Sequence, residues 1–506
     1  MKKYLTVSQM VECEKRSDKN GLSLSQLMDN AALALYREVL NAAHKVSCKK
    51  GESVRSIVII AGKGNNGGDG LVCARLLKES GFKVCVFLAL GKPSTELSKA
   101  AFKKLKGIDI LDTLDEQATS LIYNADILVD CIFGTGFGGS LRENILPLFS
   151  LINISGAFKI ACDIPSGCNA DTGLCDKLSV RADMTVTFHR PKIGMALSPA
   201  REYCGEIRVC DIGIDKQYEN ADFCIYEPDI SGIKKLLPER PVGAHKGDFG
   251  RLLIIAGSDN YYGAAALCTN AALRCGVGIA QLAAPQGVIS ALAGNMYECT
   301  YLPFNEGDSA EILLSAINKA SAVLIGCGIG VNDHSMAAVR YVIENAACPV
   351  IIDADGLNCL AQDMSILNGH KSEIALTPHI GELARLCGAD SKTALDKRLE
   401  LAKGLSEKYD VTVVSKSAGT LIVSRGRALM TNYGNTALSK GGSGDMLAGM
   451  ISSFVSQRAD VREAAVLGSY LLGAAAEKLS QTLSERGILA RDILDSLPRI
   501  LFDTEE

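Results

Sequence analysis

The sequence lacks any block of Lys and Arg, and it has no strong charge of either sign. Its 53 basic and 57 acidic residues give a formal net charge of −4, with a pI of about 6.0. Nucleic-acid-binding domains usually carry a basic patch, so we expect no nucleic-acid partner. The chain also lacks an apolar stretch that approaches the ~18 residues of a membrane span, so we expect no membrane association.

The chain has 18 cysteines but no C-x-x-C pair, which argues against zinc ribbons and dithiol redox motifs. Many cysteines lie in apolar runs, as Cys85 does in KVCVFLAL. We therefore expect buried, inert thiols in a reducing compartment. The N-terminus begins MKKYLTVSQM and has no apolar segment typical of a signal peptide. These features predict a soluble, cytoplasmic protein.

Short runs rich in Val and Ile alternate with longer helical patterns along the 506 residues. A chain of this length is too long for one hydrophobic core, and alternation of this kind predicts α/β domains with parallel sheets. The predicted strands are 56–62, 83–90, 126–133, 158–164, 184–188, 206–213, 251–257, 279–285, 322–328, 349–355, 373–378 and 411–416.

The strand pattern fades between about residues 214 and 248. This segment has mixed charge and contains Pro228, Pro238 and Pro241. We place the domain junction there and predict one domain over residues 1–222 and a second over residues 223–506.

The first domain carries the glycine-rich stretch GKGNNGGDG at 62–70, between a predicted strand and a predicted helix. Glycines allow tight turns and a close approach to a ligand, and free amides at a helix start attract phosphate. We expect a nucleotide-type site here, with the helix beginning near Asp69 or Gly70. A plain βα turn without a ligand is the weaker alternative.

Polar residues also follow two later strands of the first domain. Asp130 ends ILVD and is followed by CIFGTGFGGSL, whereas Asp163 ends KIACD and is followed by IPSG with Ser166. The carboxyl ends of neighbouring parallel strands meet at one crevice. Asn, Asp and hydroxyl oxygens suit a hard cation. Each aspartate alone would be read as a helix cap or a turn residue.

The motifs GKGNNGGDG, DCIFGTGFGG and DIPSGCNADTG together resemble the NAD(P)H-hydrate epimerase domain, which is Rossmann-like and binds potassium. The resemblance implies potassium ligands at Asn66, Asp130 and Ser166, and it implies that Asp163 contacts the substrate and transfers the proton. It further implies that the hydrated nucleotide binds Asn65, Asn66, Gly67, Gly68, Asp69, Gly134, Thr135, Gly136, Phe137, Gly138, Gly139 and Ser140.

The second domain carries the stretch KGGSGDMLAG at 440–449, ahead of an apolar helical run. Amides before the helix can form an anion hole, and Asp445 at the helix start can accept a proton from an attacking hydroxyl. His379 lies in a predicted strand-to-helix loop, where ligands bind. Lys416 begins KSAGT, a stretch suited to phosphate through a cation, hydroxyls and amides.

HKGDFG, TPHIGE, KSAGT and NTALSKGGSGDMLAG resemble the ADP-dependent NAD(P)H-hydrate dehydratases of the ribokinase-like superfamily. The resemblance implies that Asp445 is the catalytic base and that magnesium accompanies ADP, although no carboxylate cage for magnesium is evident. The residues that it assigns to the adenine nucleotide are Lys416, Ser417, Ala418, Gly419, Thr420 and Gly444. The residues that it assigns to the hydrated dinucleotide are Ala264, Gly328, His379 and Asp445.

The two resemblances predict a bifunctional repair enzyme for hydrated NADH and NADPH, with an N-terminal Rossmann-like three-layer domain and a C-terminal ribokinase-like α/β domain. Its ligands would be the hydrates and ADP, and we expect a homo-oligomer. The alternative is a ribokinase-like vitamin or sugar kinase joined to a nucleotide-binding module that has no catalytic activity. A second alternative makes the first half a non-catalytic ligand sensor or interaction domain.

Overall fold

The computed structural model describes residues 1–219 and 223–506, and the chain divides into two units. One unit runs from Lys3 to Cys224, and the other holds Met1–Lys2 with Ile225–Glu506. The boundary that the sequence predicts at residue 222 lies outside the described residues.

The N-terminal unit is built around a parallel sheet in the order β4-β3-β2-β5-β6-β7-β8. All five residues of one interior strand, Ile57–Ala61, are buried, because helices cover both faces of a parallel sheet. The strands in this part of the chain are β1 (Lys2–Tyr4), β2 (Ile57–Ala61), β3 (Val84–Leu88), β4 (Asp109–Leu111), β5 (Ile127–Cys131), β6 (Phe158–Cys162), β7 (Met184–Phe188) and β8 (Glu206–Cys210).

Helices lie on both faces of this sheet. Val58 and Ile60 of β2 pack with Ile122 and Phe149 on one face, and Ile59 faces Gly70 on the other, as the alternation of a strand requires. The three-layer prediction is confirmed. The helices are α1 (Val7–Lys19), α2 (Leu24–Lys50), α3 (Asn65–Glu79), α4 (Glu96–Lys103), α5 (Glu116–Tyr123), α6 (Leu146–Ile154) and α7 (Ala200–Tyr203).

Helix α3 begins earlier than the sequence predicts. Its first residue is Asn65, with Gly64 as the N-cap, so the expected start near Asp69 or Gly70 is wrong. Glycine is a poor helix former, which is why the sequence NNGGD suggests a loop. Tight packing of these glycines against the chain overrides that propensity.

The C-terminal unit has a larger mixed sheet, in which the strands run in the order β9-β18-β17-β16-β15-β14-β13-β10-β11-β12. The pairs β16–β17 and β17–β18 are antiparallel, and the other pairs of this order are parallel. The strands are β9 (Ile225–Glu227), β10 (Arg251–Ile255), β11 (Ile279–Ala284), β12 (Cys299–Pro303), β13 (Ala322–Ile325), β14 (Val350–Ile352), β15 (Ile374–Leu376), β16 (Thr412–Ser415), β17 (Thr420–Ser424) and β18 (Arg427–Thr431).

Helices cover this sheet as well. Leu252, Ile254 and Leu324 share one core with Met450 and Leu471 from two later helices. The helices are α8 (Ile230–Lys234), α9 (Tyr262–Arg274), α10 (Gln286–Leu292), α11 (Leu314–Ile317), α12 (Asp333–Asn345), α13 (Asp355–Gln362), α14 (Ile380–Cys387), α15 (Ser391–Asp396), α16 (Arg398–Tyr409), α17 (Ser443–Ser456), α18 (Val461–Ser480) and α19 (Ala490–Glu505).

The cysteine prediction needs one correction. Cys168 and Cys175 form a disulfide, because a tight turn between them places the two residues opposite each other in an antiparallel bridge. In that turn the Asn169 amide donates to Leu174 O at 2.7 Å. Most of the other cysteines are buried thiols, but Cys48 is exposed. Among the described residues, no helix is long and apolar enough to cross a membrane.

Candidate active sites

The glycine-rich loop after β2 packs closely against the backbone at the end of β5. A Cβ on Gly62 would lie 1.9 Å from the carbonyl oxygen of Ile132, and a Cβ on Gly67 would lie 2.0 Å from the carbonyl oxygen of Gly62. No side chain larger than hydrogen fits at either position. The loop therefore turns directly into α3, whose N-terminus borders a large cavity.

This cavity has a volume of about 980 Å³. It collects most of the residues that the sequence assigns to the hydrated nucleotide. Those that line it are Asn65, Asn66, Asp69, Gly134, Thr135, Gly136, Phe137, Gly138, Ser140 and Asp163. Gly67, Gly68 and Gly139 lie outside the lining, and the first two are buried beneath it.

Asp163 follows β6 and sits at one side of the cavity with a left-handed backbone, at a φ of 67°. Lys192 forms an ion pair with its carboxylate, and Thr187 donates a hydrogen bond to the same oxygen at 3.0 Å. Lys192 is only 2% exposed. A buried lysine needs a carboxylate partner. Sequence reasoning missed Lys192, because nothing in the stretch HRPKIG marks this lysine as buried.

The three predicted potassium ligands lie together behind the loop after β5. Ser166 Oγ donates to Asp130 Oδ1 at 2.6 Å, and Asn66 Nδ2 donates to the carbonyl oxygen of Phe133 at 3.0 Å. Ser166 Oγ lies 3.3 Å from that same carbonyl oxygen. Carboxylate, hydroxyl and carbonyl oxygens thus converge beside the Asn66 amide group, and oxygens of these types suit a hard cation.

Asp130 supports this interpretation, because it is a buried carboxyl group with only neutral partners. It is 2% exposed, and no cationic side chain of the described residues bonds to it. Burial raises its pKa to about 6, even though Ser166 donates two hydrogen bonds to it. Buried charges are normally paired or bound to metals, so these residues fit a monovalent cation.

In the C-terminal unit, four adjacent parallel strands place polar residues at one edge of the sheet. Cys327 follows β13, Asp353 follows β14, His379 follows β15 and Lys416 follows β16. Ligands bind at the carboxyl edge of such sheets. The structure therefore brings Lys416 and His379 together, as the sequence implies, and adds Asp353.

Lys416 is engaged by protein carboxyl groups. Its Nζ donates to Asp353 Oδ1 at 2.5 Å and lies 4.0 Å from Glu382 Oε2. Burial disfavours the ammonium form, but these two carboxyl groups outweigh it and raise the pKa of Lys416. Thr377 Oγ1 donates to the same Asp353 oxygen at 2.7 Å. Protein carboxyl groups thus hold in place the lysine that the sequence assigns to phosphate.

His379 is the N-cap of α14. Its Nδ1 accepts hydrogen bonds from the amides of Gly381 at 2.9 Å and Glu382 at 3.3 Å. Burial and the nearby Lys416 lower the pKa of His379, which favours the neutral ring. The imidazole therefore has a capping role, and its side chain is still more than half exposed.

Asp445 lies in the first turn of α17, whose N-cap is Gly442. The first amides of a helix have no partner within it, so they are available to an anion. Burial and the nearby Asp353 raise the pKa of Asp445. Gly444 lies beside Lys416, since a Cβ there would be 3.2 Å from the lysine Nζ.

Cys327, Asp353 and Asp445 offer ligand atoms within 4.8 Å of one another. Thiols are poor ligands for magnesium, and Asp353 is already paired with Lys416. The cluster is thus not the carboxylate cage that a dedicated magnesium site would need.

Two further contacts shape this site. A Cβ on Gly328 would lie 2.9 Å from Cβ of Ala264, so these two predicted contact residues are neighbours. Arg398, which sequence reasoning missed, is buried and donates to Ser415 Oγ at 2.9 Å and to the carbonyl oxygen of Gly419 at 2.8 Å. It holds the loop that contains Lys416–Thr420.

Comparison with known protein families gives two matches along the chain. A model for NAD(P)H-hydrate dehydratase matches residues 252–499, and a model for the YjeF-related protein N-terminus matches residues 24–194. The bifunctional NAD(P)H-hydrate repair enzyme Nnr of Moorella thermoacetica is 35% identical, over 89% of this chain and 88% of that one. The enzyme of the same name from Coxiella burnetii is 33% identical over 97% of both chains.

Solved structures resemble the C-terminal unit. The ADP/ATP-dependent NAD(P)H-hydrate dehydratase of Bacillus subtilis, co-crystallised with ATP and Mg²⁺, is 31% identical with a TM-score of 0.50. The match covers 55% of this chain and 98% of that one. A ribokinase-like superfamily protein of Enterococcus faecalis, 23% identical with a TM-score of 0.50 over 56% of this chain and 97% of that one, supports the fold alone. The ribokinase-like prediction is confirmed.

Proposed function

The chain belongs to the family of bifunctional NAD(P)H-hydrate repair enzymes, and from that premise we propose which of its residues carry the two reactions. The enzyme epimerises the R and S hydrates of NADH and NADPH and dehydrates the S hydrate at the expense of ADP. We assign epimerisation to residues 1–222 and dehydration to residues 223–506. The family matches at 24–194 and 252–499 support this division.

For dehydration, the observation that carries the proposal is the position of Asp445 at the start of α17, beside the carboxyl edge of the sheet. Asp445 accepts the proton of the added hydroxyl, whose oxygen attacks the β-phosphorus of ADP and displaces AMP. The amides of the first turn of α17 stabilise the charge that develops on the phosphoryl oxygens. Phosphate is a better leaving group than hydroxide, and its elimination restores NADH or NADPH.

The nucleotide assignment follows the same geometry. Lys416, Ser417, Ala418, Gly419 and Thr420 form the loop that Arg398 holds, and Gly444 adjoins Lys416. Asp353 keeps the ammonium of Lys416 in place for the phosphates. The Bacillus relative was crystallised with ATP and Mg²⁺. Magnesium commonly binds through substrate phosphates and water with few protein ligands, which agrees with the lack of a carboxylate cage among the residues that the structure describes.

The substrate assignment in this unit groups four residues. Ala264 and Gly328 are neighbours, and His379 and Asp445 lie beside the same strand ends. We propose that Ala264 and Gly328, which have little or no side chain, allow the hydrated nicotinamide ring to approach closely. We propose that His379 contacts the hydrate through the exposed edge of its imidazole, while its Nδ1 caps α14.

For epimerisation, Asn66, Asp130 and Ser166 would hold potassium, which would neutralise the buried carboxylate and fix the adjoining loop. Asp163, held by Lys192 and Thr187, exchanges a proton with the hydrated ring. The cavity beside it receives the hydrated nucleotide through the N-terminus of α3 and the loop at Gly134–Ser140. The cytoplasmic location and the homo-oligomer stay predictions.

One assay tests both activities. Purified protein is incubated with a mixture of R and S hydrates of NADH, with ADP, ATP or neither, and the reduced-nicotinamide absorbance is followed. We expect full recovery of NADH with ADP, release of phosphate and AMP, and no recovery without nucleotide. Accumulation of a phosphorylated end product would instead support the kinase alternative. Recovery that stops at the S fraction, with the rest at the spontaneous rate, would contradict the epimerase assignment.

A further inference from the structure

Glu14 is a carboxyl group in the epimerase cavity that has no role in the scheme above. It lies on α1 and lines the cavity together with Asp69, Asp163 and Lys192. Within the residues that the structure describes, its carboxyl group has no hydrogen-bond or ion-pair partner. Its neighbour Glu12, by contrast, is exposed and paired with Arg16 at 2.8 Å. Glu14 is thus a free acid that faces the space proposed for the substrate.

Burial and a neighbouring carboxyl group make Glu14 a weaker acid than an exposed glutamate. Burial raises its pKa, and the nearby Asp163 adds to the rise, while Lys192 opposes it. Asp69 faces the same space from α3, and burial together with Asp163 and Glu14 raises its pKa well above the ordinary value. The single lysine among these groups is bound to Asp163. Lys63 and Arg142 also line the cavity, but neither is among the groups that shift the pKa of Glu14 or Asp69. The cavity therefore holds one carboxylate that is paired with a cation and two carboxyl groups whose pKa is raised.

Epimerisation of the hydrate needs one group that donates a proton and another that accepts one. A protonated and an ionised carboxyl group can fill these two roles. Water adds to an enamine with its oxygen on the carbon next to nitrogen, so the added hydroxyl sits beside the ring nitrogen. To invert that carbon, the C–O bond breaks as the oxygen takes a proton and leaves as water, and the nitrogen lone pair forms a C=N bond. Water then adds to the other face and gives one proton to a base. One acid and one base on different elements meet this need.

We propose that in the R-to-S direction Glu14 is the acid that delivers the proton to the leaving hydroxyl, while Asp163 accepts the proton of the water that adds to the other face. In the reverse direction the two residues exchange roles. After each turnover the proton that the base has gained returns to the acid, so that the next turnover starts from the same protonation states. No oxidant or further reactant is required, since the water that leaves balances the water that adds. This inference rests on the proposed epimerase function.

The test compares Glu14→Gln with the matched control Glu12→Gln on the exposed side of the same helix, in the full-length protein. The rate of R-to-S conversion is measured by chromatography of the two hydrates in the absence of ADP. We expect Glu14→Gln to lower kcat by about a hundredfold or more, with a KM close to that of the wild type. Dehydration of the S hydrate by the same preparation should be unchanged, and Glu12→Gln should match the wild type in both reactions.

The pH profile separates a proton donor from a structural residue. With a protonated Glu14 as acid, wild-type kcat in the R-to-S direction falls as pH rises and Glu14 loses its proton. Glu14→Gln should lose this alkaline limb, whereas Glu14→Asp should keep it at a reduced rate. If Glu14→Gln fails to bind the hydrate, the pH profile of Glu14→Asp tests the inference instead. A Glu14→Asp variant that has the wild-type kcat and no alkaline limb would overturn the inference.

Two other outcomes also count against Glu14. A wild-type kcat in Glu14→Gln overturns the inference while leaving the epimerase function intact. Loss of the alkaline limb in Asp69→Asn, with Glu14→Gln retaining it, would transfer the acid role to Asp69. If the wild-type protein itself converts R to S only at the spontaneous rate, the failure lies with the proposed function and not with Glu14 alone.

Discussion

Lys416 and Asp353 form a buried ion pair, in which the lysine Nζ lies 2.5 Å from the carboxylate Oδ1. The two residues are 63 positions apart in the sequence and follow two strands separated by β15. Thr377, at the end of that intervening strand, donates to the same oxygen. The pair therefore fixes the position of a cation where the sheet edge meets the start of α17.

Removal of the lysine should destabilise the C-terminal unit strongly. Lys416→Met leaves the buried Asp353 carboxylate without its cation, and breaking such a pair costs about 3–5 kcal/mol. We expect the double variant Lys416→Met, Asp353→Asn to recover most of that loss, because no charge is then left buried. Urea-dependent hydrogen exchange of peptides from β14 and β16 measures the free energy of unfolding of this unit.

The control for this comparison of single and double variants is Lys403→Met. This substitution removes an exposed lysine that is paired with Glu407 at 3.7 Å. An exposed pair contributes about 0–1 kcal/mol. If Lys403→Met and Lys416→Met lower the free energy of unfolding equally, the buried pair contributes no more to stability than the exposed pair does. Non-additivity in the double variant is the quantity that measures the pair itself.

Asp445→Asn should abolish dehydration while ADP still binds. Asparagine keeps the shape of the side chain but cannot accept the proton, so we expect a loss of about a hundred- to ten-thousandfold in kcat. Asp390→Asn is the matched control, since Asp390 caps α15 and asparagine is an equally good N-cap. Calorimetric titration with ADP checks binding. Turnover close to that of the wild type would refute the base assignment.

The dehydratase rate should also depend on pH through Asp445. The base must be ionised, and burial together with Asp353 raises the pKa of Asp445 above the ordinary aspartate value. Activity should therefore be full at high pH and fall as pH drops through that raised pKa. Measured kcat/KM against pH should show an acid limb above the usual aspartate range. An acid limb at or below the usual aspartate range would mean that the pKa of Asp445 is not raised in solution, or that another group is the base.

Much of the sheet could be predicted because its strands are buried on both faces. The run SIVIIAG predicts a strand at 56–62 and forms one at Ile57–Ala61, where burial requires apolar residues at every position. β18 (Arg427–Thr431) and β12 (Cys299–Pro303) were missed because each includes exposed and half-buried positions and so lacks that continuous pattern.

The sequence predicts those site residues that belong to a local motif. It does not predict the residues that only tertiary contacts bring to the site. Asp445 and Asp163 stand beside glycines or at strand ends, so their positions are visible in the chain. The partners of Lys416 and Asp163 come from other strands and loops, at separations of 63 and 29 residues. No local pattern marks Arg398 as the residue that holds the nucleotide loop. Such pairings need the strand order, which the sequence alone does not supply.

His379 can be tested for its two roles separately. His379→Asn keeps a side chain that caps α14 but removes the imidazole edge, whereas His379→Ala removes both. We expect only the alanine variant to lose stability, by about 1 kcal/mol. Both variants should raise the KM for the S hydrate by about tenfold, which corresponds to about 1.4 kcal/mol, and leave the KM for ADP unchanged. An unchanged KM for the hydrate in both variants would restrict His379 to its cap.

The potassium site makes the last prediction. Ser166→Ala removes the hydroxyl that bridges Asp130 Oδ1 and the amide of Phe133. We expect the potassium concentration for half-maximal epimerisation to rise by about tenfold or more, because the variant loses a proposed ligand and also the hydroxyl that orients Asp130. Dehydration of the S hydrate by the same protein should not respond to this substitution, because the ligands lie in the other unit.

Ser179→Ala is the matched control, since Ser179 Oγ is also buried but makes no hydrogen bond. Its potassium dependence should match that of the wild type. Epimerisation by the wild type in potassium-free buffer, measured with sodium or a bulky ammonium salt in its place, shows whether a cation is needed at all. If Ser166→Ala and the wild type respond to potassium alike, the oxygen cluster around Asp130 is not the site. The buried carboxyl group would then stay protonated at acidic pH, as its pKa of about 6 allows.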